Sequence, residues 1–307
     1  MTIAVTPPAV GWDLHCHTVF SDGTQSVEYL IQEAQLFGLH GVAISDHDTS
    51  AGWQIAKAVS AKLSYPVMYG TEITAEEGCV SVHMLAYQYD SMNVELSNLF
   101  QKTRQERIAR SQHMVELLSR DYPISWEQVV QQCKEGANTT IGRPHIADAL
   151  VQLGVVENRS EAFDTIINSR SKYYVPTPSP TTHEVLQAVK AAGGVCVIAH
   201  AGDIRRNKVL LNNSQLEQLA DEGLDGLEVW HRGNDQFQRE RLLDIAQRKN
   251  LLVTGGSDWH GKGKPNKLGE NLTDDKTVRE IQYETKLVCN YKIIAINFYC
   301  YCYVYIK

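Results

Sequence analysis

Two short motifs near opposite ends of the chain contain side chains that commonly bind transition metals. One residue separates His15 from His17, and one separates Asp258 from His260. Residues i and i+2 of an extended strand project from the same side, so each pair can present two ligands to one point. The spacing therefore predicts a metal site.

Further ligand-type residues follow short apolar runs, and these are Asp46, His47, Glu72 and His200. In a barrel of parallel strands, the carboxyl ends of the strands meet at one face, where loops build the active site. The pattern therefore predicts a parallel barrel whose strand ends converge on a metal site.

Strand-like and helix-like segments alternate in the opening and closing thirds of the chain, which is typical of βα units. We expect residues 1–92 and 181–281 to form a catalytic barrel. Residues 93–180 have helical periodicity and end in a proline-rich stretch, so we expect a helical insertion that caps the site.

Residues 282–307 form an atypical tail, in which residues 297–306 are uncharged and mostly aromatic or apolar. We expect no catalytic role for it, so a truncated protein should keep its activity. An altered reading frame near the terminus is an alternative hypothesis for its composition.

Composition limits the class of protein. The chain has 307 residues, of which 43% are hydrophobic, and a formal net charge of −7. That charge argues against binding long duplex DNA through a basic surface, although divalent ions would reverse the sign locally. Residues 1–11 lack a secretion signal, no stretch is apolar enough to span a membrane, and the seven cysteines contain no C-x-x-C pair. We therefore expect a cytoplasmic protein with reduced thiols, and we infer no protein partner.

A larger set of motifs resembles one family, the PHP phosphoesterases, which occur in polymerases and histidinol phosphatases. The residues that carry the resemblance are 13–18 (DLHCHT), 21–23 (SDG), 45–49 (SDHDT), 70–72 (GTE), His83, His200 and 257–260 (SDWH). Residues 142–147 (GRPHIA) and 226–231 (GLEVWH) resemble the group of 3′,5′-nucleoside bisphosphate phosphatases and 5′-3′ exoribonucleases of the RNase AM type. The resemblance runs from about residue 11 to about residue 280.

The resemblance implies a distorted (β/α)7, TIM-like barrel and a cluster of three divalent metal ions, manganese first, with iron or zinc as alternatives. Glu72, Asp258 and His200 are then the expected catalytic residues. The implied ligands are His15, His17, Glu72 and Asp258 for the first ion, Glu72, His83 and His200 for the second, and Asp22, His47 and His260 for the third. Six imidazoles and three carboxylates suit transition metals better than Mg²⁺ or Ca²⁺.

Residues around the expected centre can support the ligands or the substrate. Asp13 and Asp46 adjoin ligand histidines, so we expect them to accept hydrogen bonds that support those ligands. The candidate substrate-binding residues are Arg143, His145, Lys172 and His231. For Arg205 and Arg206 we expect a solvated loop, although either could bind a second phosphate.

These residues lead to a prediction of function. Bound ions would lower the pKa of water for in-line attack on phosphorus, with no covalent protein intermediate. The predicted substrates are 3′,5′-nucleoside bisphosphates, or short RNA trimmed from a 5′-phosphorylated end. The alternatives are a phosphatase for another small ester, such as histidinol phosphate, and a metal-binding module without catalysis.

Overall fold

A computed structural model describes residues 7–207 and 209–283, and seven strands form its barrel-like sheet. Their order in the sheet follows their order in the chain. The strands are β1 (Trp12–Asp13), β2 (Gly41–Ile44), β3 (Val67–Glu77), β4 (Val80–Tyr87), β5 (Val195–Ile198), β6 (Gly226–Trp230) and β7 (Leu252–Gly255). The predicted seven-stranded α/β barrel is confirmed.

The first and last strands approach each other and nearly close the barrel. The amide of Leu14 donates to the carbonyl of Gly255 at 3.4 Å, and the amide of His17 donates to that of Trp259 at 2.9 Å. Cys16 and Trp259 form a parallel bridge. The two predicted metal-binding motifs, which are distant in sequence, are therefore neighbours in space.

Helices cover the barrel and form the insertion. They are α1 (Val27–Leu36), α2 (Trp53–Leu63), α3 (Val94–Leu118), α4 (Trp126–Val130), α5 (Arg143–Gln152), α6 (Arg159–Glu161), α7 (Thr182–Ala191), α8 (Asn213–Asp221) and α9 (Gln236–Lys249). The Ser26 side chain caps α1 by accepting from the amide of Tyr29. The residues of α1 that face the core are spaced i, i+3, i+4 and i+7, and they are Val27, Leu30, Ile31 and Ala34.

One strand departs from the predicted parallel arrangement. β4 runs antiparallel to both β3 and β5, whereas the other neighbouring pairs are parallel. A two-residue turn at Gly78 and Cys79 joins β3 to β4, and Gly78 has a φ of +59°. Because a two-residue connection can join only antiparallel neighbours, the prediction of a fully parallel barrel was wrong for β4.

Helices α3 to α6 pack around a hydrophobic core of their own. Its most deeply buried members are Met114, Leu118, Ile146, Leu150 and Ile167. The helical character predicted for this part of the chain is therefore confirmed, while the exact boundaries at residues 93 and 180 stay predictions.

The insertion contacts the barrel beside the loop that contains Asp22. The amide of Thr140 donates to the carbonyl of Phe20 at 2.8 Å, and the Thr139 hydroxyl donates to that of Val19 at 3.1 Å. The insertion is thus attached to a loop that carries a predicted ligand.

Three further predictions concern the rest of the chain. Within the described residues, Cys16, Cys79, Cys133 and Cys196 are free thiols, and Cys16 packs in a buried apolar cluster beside β1. A helical segment reaches residue 283, but the predictions about the tail mostly lie outside the described residues. No helix among the described residues has the length and apolarity needed to cross a membrane.

Candidate metal centre

All nine predicted ligands are buried, and the barrel brings them to one place. They lie on or just after the strands and in the loop after β1. Their exposed fractions are 7% or less for His15, His17, Asp22, His47, Glu72, His83, His200, Asp258 and His260. Glu72 lies at the middle of the group, because its two carboxylate oxygens face different histidines.

The first group contains His15, His17, Glu72 and Asp258. Glu72 Oε2 lies 3.3 Å from His15 Nε2 and 3.1 Å from His17 Nε2. Asp258 Oδ1 lies 3.5 Å and 3.3 Å from the same two ring nitrogens. One donor atom from each of the four side chains lies within 4.8 Å of the other three, so one cation could contact them all.

The other oxygen of Glu72 faces a second group. Glu72 Oε1 lies 2.5 Å from His83 Nδ1 and 2.9 Å from His200 Nε2. His47 Nδ1 is 3.3 Å from Oε2 of the same carboxylate, and His47, Glu72 and His83 also have donor atoms within 4.8 Å of one another. His47 therefore lies between the second group and the third.

The third group surrounds Asp22. Its Oδ1 atom lies 3.1 Å from His260 Nε2 and 3.8 Å from both His47 Nε2 and His17 Nδ1. His17 thus has one ring nitrogen towards the first group and the other towards the third. The sequence did not predict this shared position for His17.

Several of these donor atoms are buried without a hydrogen-bond partner in the part of the chain that the structure describes. They are His15 Nε2, His17 Nε2, Asp22 Oδ1, His47 Nδ1 and His260 Nε2. Leaving a buried polar atom unpaired costs about 1–3 kcal/mol, so five at one place require an explanation. Inward-facing lone pairs of imidazoles and carboxylates match the needs of divalent transition metals, and the residues therefore fit a centre that holds several ions.

The protonation states of the ligands are set by burial and by their neighbours. Burial lowers the pKa of His83 to about 3 and that of His260 to about 4, so both rings are neutral near pH 7. Burial opposes the ionisation of Glu72, but the surrounding imidazoles, led by His83, hold the pKa of its carboxyl well below its usual range. Neutral imidazoles and ionised carboxylates are the forms that bind metals.

His17 departs from this pattern. Burial disfavours its charged form, yet the neighbouring carboxylates of Asp258 and Glu72 raise its pKa to about 9. A cation bound between these groups would therefore displace a proton from His17.

Three residues in or next to the centre have strained backbone conformations. His200 and Asp258 have φ values of +33° and +54°, and Asp48, next to His47, has a φ of +51°. Such conformations are costly for residues with a Cβ atom, and they cluster at functional sites.

Asp13 and Asp46 support the ligand-bearing loops through the backbone. Asp13 accepts from the amides of His15 (3.3 Å), Ser257 (2.9 Å) and Gly269 (2.8 Å). Asp46 accepts from the amide and hydroxyl of Thr18, at 2.7 and 2.6 Å, and from the Ser21 hydroxyl at 2.7 Å. Both carboxylates therefore hold the turns that carry ligands.

Glu228, which the sequence reasoning did not assign, supports two ligands at once. Its Oε1 atom lies 2.9 Å from His15 Nδ1, and its Oε2 atom accepts from the amide of His200 at 2.7 Å. Glu228 is fully buried on β6. A glutamate inside the apolar stretch from Gly226 to Trp230 was the signal that could have identified it.

Among the predicted substrate-binding residues, Arg143 and His145 lie within the insertion. The guanidinium carbon of Arg143 lies 5.2 Å from the centre of the Phe163 ring and 5.6 Å from that of Tyr174. His145 is buried, and its Nδ1 atom accepts from the amide of Gly142 at the start of α5. His145 therefore also has a structural role.

His231 and Lys172 differ in their surroundings. The His231 ring centre lies 5.4 Å from that of His200, and its buried Nε2 atom has no hydrogen-bond partner in the described part of the chain. Lys172 lies on the exposed surface and pairs with Asp121 at 2.9 Å. The structure thus brings His231 to the centre but gives Lys172 a surface partner.

Arg205 and Arg206 are both exposed, as expected for a solvated loop, but Arg206 also contacts a candidate ligand. Arg205 is exposed and pairs with Asp203 at 3.4 Å. The guanidinium of Arg206 instead lies 2.9 Å from His83 Nδ1, because the loop after His200 folds back towards β4. There the Asn207 side chain donates to the carbonyl of Ser81 at 2.7 Å.

Two more cations contact the ligands or their neighbours. Lys264 Nζ lies 2.7 Å from Asp258 Oδ2, so one oxygen of that carboxylate faces a lysine while the other faces the first group. Arg107 of α3 donates to Asp48 at 3.1 Å and to the Thr74 hydroxyl at 2.8 Å. Arg107 thus connects the insertion to the residue that follows His47.

Three relatives align with most of this chain. The chain is 27% identical over 265 residues to a 5′-3′ exoribonuclease of Haemophilus influenzae, covering 85% of this chain and 94% of the relative. It is 28% identical to a phosphoribosyl 1,2-cyclic phosphate 1,2-diphosphodiesterase of Eggerthella lenta, covering 81% and 94%. It is 26% identical to a 3′,5′-nucleoside bisphosphate phosphatase of Chromobacterium violaceum, covering 82% and 88%.

A solved structure is more similar still. A crystal structure of a proposed metal-dependent phosphoesterase from Bifidobacterium adolescentis is 62% identical, with a TM-score of 0.90 over 91% of this chain and 98% of that one. The profile of the PHP domain matches residues 13–230. The predicted enzyme class, a hydrolase that acts on phosphoesters, is confirmed at this level, and the chain belongs to the PHP domain family.

Proposed function

We propose that this protein hydrolyses the 3′-phosphoester of nucleotides that carry a 5′-phosphate, in 3′,5′-nucleoside bisphosphates and in short 5′-phosphorylated RNA. The observation that carries the proposal is the convergence of nine buried ligand-type side chains, one of which, His83, contacts the guanidinium of Arg206. The nucleotide-cleaving relatives support the choice of substrate.

The three groups of side chains would hold three divalent ions, for which we propose manganese, with iron or zinc as alternatives. The first would be held by His15, His17, Glu72 and Asp258, the second by Glu72, His83 and His200, and the third by Asp22, His47 and His260. Divalent ions, when bound, lower the pKa of water and neutralise phosphoryl oxygens.

The residues that we propose as catalytic are Glu72, Asp258 and His200, and the first two are held in position by several partners. Glu72 divides its oxygens between two groups, so it fixes their separation. Lys264 holds one oxygen of Asp258 and directs the other towards His15 and His17. Because these side chains are held by their partners, the site is preorganised before substrate binds.

Arginines of the insertion would recognise the second phosphate. The guanidinium carbon of Arg110 lies 5.3 Å from the centre of the Tyr174 ring, and Arg143 faces the same ring. Burial, followed by the charge of Arg143, lowers the pKa of Arg110 to about 9. An anion bound between these like charges would relieve their repulsion, and a guanidinium can contact a phosphate through two nitrogens.

A side-by-side assay with manganese tests the proposal. We expect turnover of adenosine 3′,5′-bisphosphate and of a 5′-phosphorylated RNA oligomer well above that of para-nitrophenyl phosphate and histidinol phosphate. Faster hydrolysis of histidinol phosphate would favour a phosphatase for another small ester. No hydrolysis of any substrate by folded, metal-loaded protein would favour a non-catalytic metal-binding module and would overturn the proposal.

A further inference from the structure

A cleft of about 340 Å³, lined by both polar and apolar side chains, opens between the insertion and the barrel. Its volume is near the lower end of the range for small-molecule sites, so it can hold one nucleotide-sized group rather than several. The lining residues that matter here are Ser21, Thr24, Gln132, Lys134, Gln152 and Arg159.

The cleft begins at the edge of the third ligand group. Ser21 immediately precedes Asp22, and its hydroxyl lies 3.4 Å from His17 Nδ1. Arg159 donates to the carbonyl oxygen of Asp22 at 2.8 Å. Arg206, by contrast, contacts His83 in the second group. A substrate that lies across the ligands from Arg206 towards Asp22 would therefore extend into the cleft.

The cleft offers one cation without a carboxylate partner among the described residues, together with two side-chain amides. Lys134 is exposed, and its ammonium donates to the carbonyl of Thr24 at 2.6 Å, with no carboxylate partner among the described residues. The side chains of Gln132 and Gln152 hydrogen-bond to each other across it. Asp148 already neutralises Arg159. Of the basic residues that line the cleft, Lys134 is therefore best able to bind a phosphate. The side-chain amides could hydrogen-bond to the edge of a base.

The reaction explains why two substrates of different length would share one centre. In a 3′,5′-bisphosphate and in RNA, the oxygen of water adds to phosphorus and the P–O3′ bond breaks. The 3′-oxygen leaves and takes up a proton to become a hydroxyl. The attacked phosphorus stays bonded to the next nucleotide in RNA, whereas the bisphosphate has only an oxygen at that position.

We infer that the cleft binds the nucleotide that follows the scissile bond of a short 5′-phosphorylated RNA. This inference rests on the proposed function and extends it to an oligonucleotide substrate. A mononucleotide bisphosphate has no group that reaches the cleft. Changes in the cleft therefore affect RNA cleavage and leave bisphosphate hydrolysis unchanged.

Two variants test this on the full-length, metal-loaded protein. Lys134→Ala removes the cation, and Gln152→Trp fills the cleft from the end of α5. We expect kcat/KM for a 5′-phosphorylated trinucleotide to fall about tenfold or more in each variant, because one loses a charge-assisted contact and the other loses the space for the nucleotide. Hydrolysis of adenosine 3′,5′-bisphosphate should stay within about twofold of wild type.

Matched controls make the same changes elsewhere. Gln131→Trp alters an exposed glutamine that does not line the cleft, and Lys62→Ala alters an exposed lysine of α2. Both should leave both substrates unaffected. Equal losses on the two substrates in Lys134→Ala and Gln152→Trp, or no loss on either, would overturn the inference.

A binding measurement separates this inference from the proposed function. Fluorescence anisotropy would follow a 3′-labelled, 5′-phosphorylated trinucleotide whose phosphorothioate linkages resist cleavage. If wild type hydrolyses nothing, the proposed function fails, but weaker binding of this RNA by Lys134→Ala would still support the cleft. Equal binding by wild type, Lys134→Ala and Gln152→Trp would overturn the inference whatever the activity.

Discussion

Replacing Glu228 by glutamine tests how the chain orients its metal ligands. One carboxylate oxygen of Glu228 contacts His15 Nδ1 at 2.9 Å, and the other accepts from the amide of His200 at 2.7 Å. Glutamine has nearly the same shape, but one of its two polar atoms is a donor. In either orientation of the amide, its NH2 group faces another donor, which is either Nδ1–H of His15 or the backbone N–H of His200. A change of tautomer at His15 would remove the first of these clashes.

The tautomer of His15 determines the size of the effect. While Nδ1 donates to Glu228, Nε2 keeps its lone pair towards Glu72 and Asp258. A change of tautomer would put the proton on Nε2 and remove that ligand from the first group. Loss of a partner that orients a ligand costs about 10–100-fold in metal affinity, which corresponds to about 1.4–2.7 kcal/mol.

The assay is a competition between the protein and a chromogenic chelator for Mn²⁺ at fixed pH. We expect Glu228→Gln to bind manganese about 10–100-fold more weakly and to regain much of its activity at saturating metal. The control is Glu217→Gln, at a partly exposed residue of α8 that pairs with Arg248. This variant should bind manganese like wild type. Wild-type affinity in a folded Glu228→Gln protein would refute the reasoning.

Three further predictions concern substrate, stability and metal. Arg143→Met should raise KM for adenosine 3′,5′-bisphosphate about tenfold or more and KM for a monophosphate far less; equal increases would contradict the proposed phosphate contact. Arg107→Met leaves the buried carboxylate of Asp48 without its cation. The free energy of unfolding should therefore fall by about 3 kcal/mol, and calorimetry should show a Tm lower by about 6–12 °C. An unchanged Tm would contradict this. Mn²⁺ added to chelator-treated protein at about 100 times its Kd should stabilise the fold by about 2.7 kcal/mol, and an unchanged melting curve would argue against a metal site.

Local spacing in the sequence predicted part of the candidate ligand set, and the family resemblance implied the rest. The pair His15 and His17 and the pair Asp258 and His260 each follow from the two-residue period of an extended chain. Glu72, in the middle of β3, and His200, just after β5, come to the same place in the barrel. Contacts of this kind depend on strand order, which βα alternation predicts well.

Other features depended on contacts that a linear pattern does not contain. The reversed direction of β4 followed from the two-residue turn at Gly78, while its apolar pattern resembles that of its neighbours. Arg206 reaches His83 only because the loop after β5 folds back, and Lys264 reaches Asp258 from a loop after β7. Long flexible side chains on loops have no periodicity that would predict where they point.

The division of the ligands among ions was also only partly predictable. The resemblance implied that His17 belongs to the first group alone, but its two ring nitrogens face the first and third groups. Which nitrogen faces which group depends on ring orientation, and ring orientation is set by neighbours such as Ser21 and Asp258.

The most direct test of the metal centre is anomalous scattering from crystals of the manganese-loaded protein. We predict three peaks, each within bonding distance of one ligand group and one of them next to Glu72 Oε2, His15 and His17. A map without peaks among these side chains, from crystals shown to contain manganese, would contradict the proposal that they bind catalytic ions.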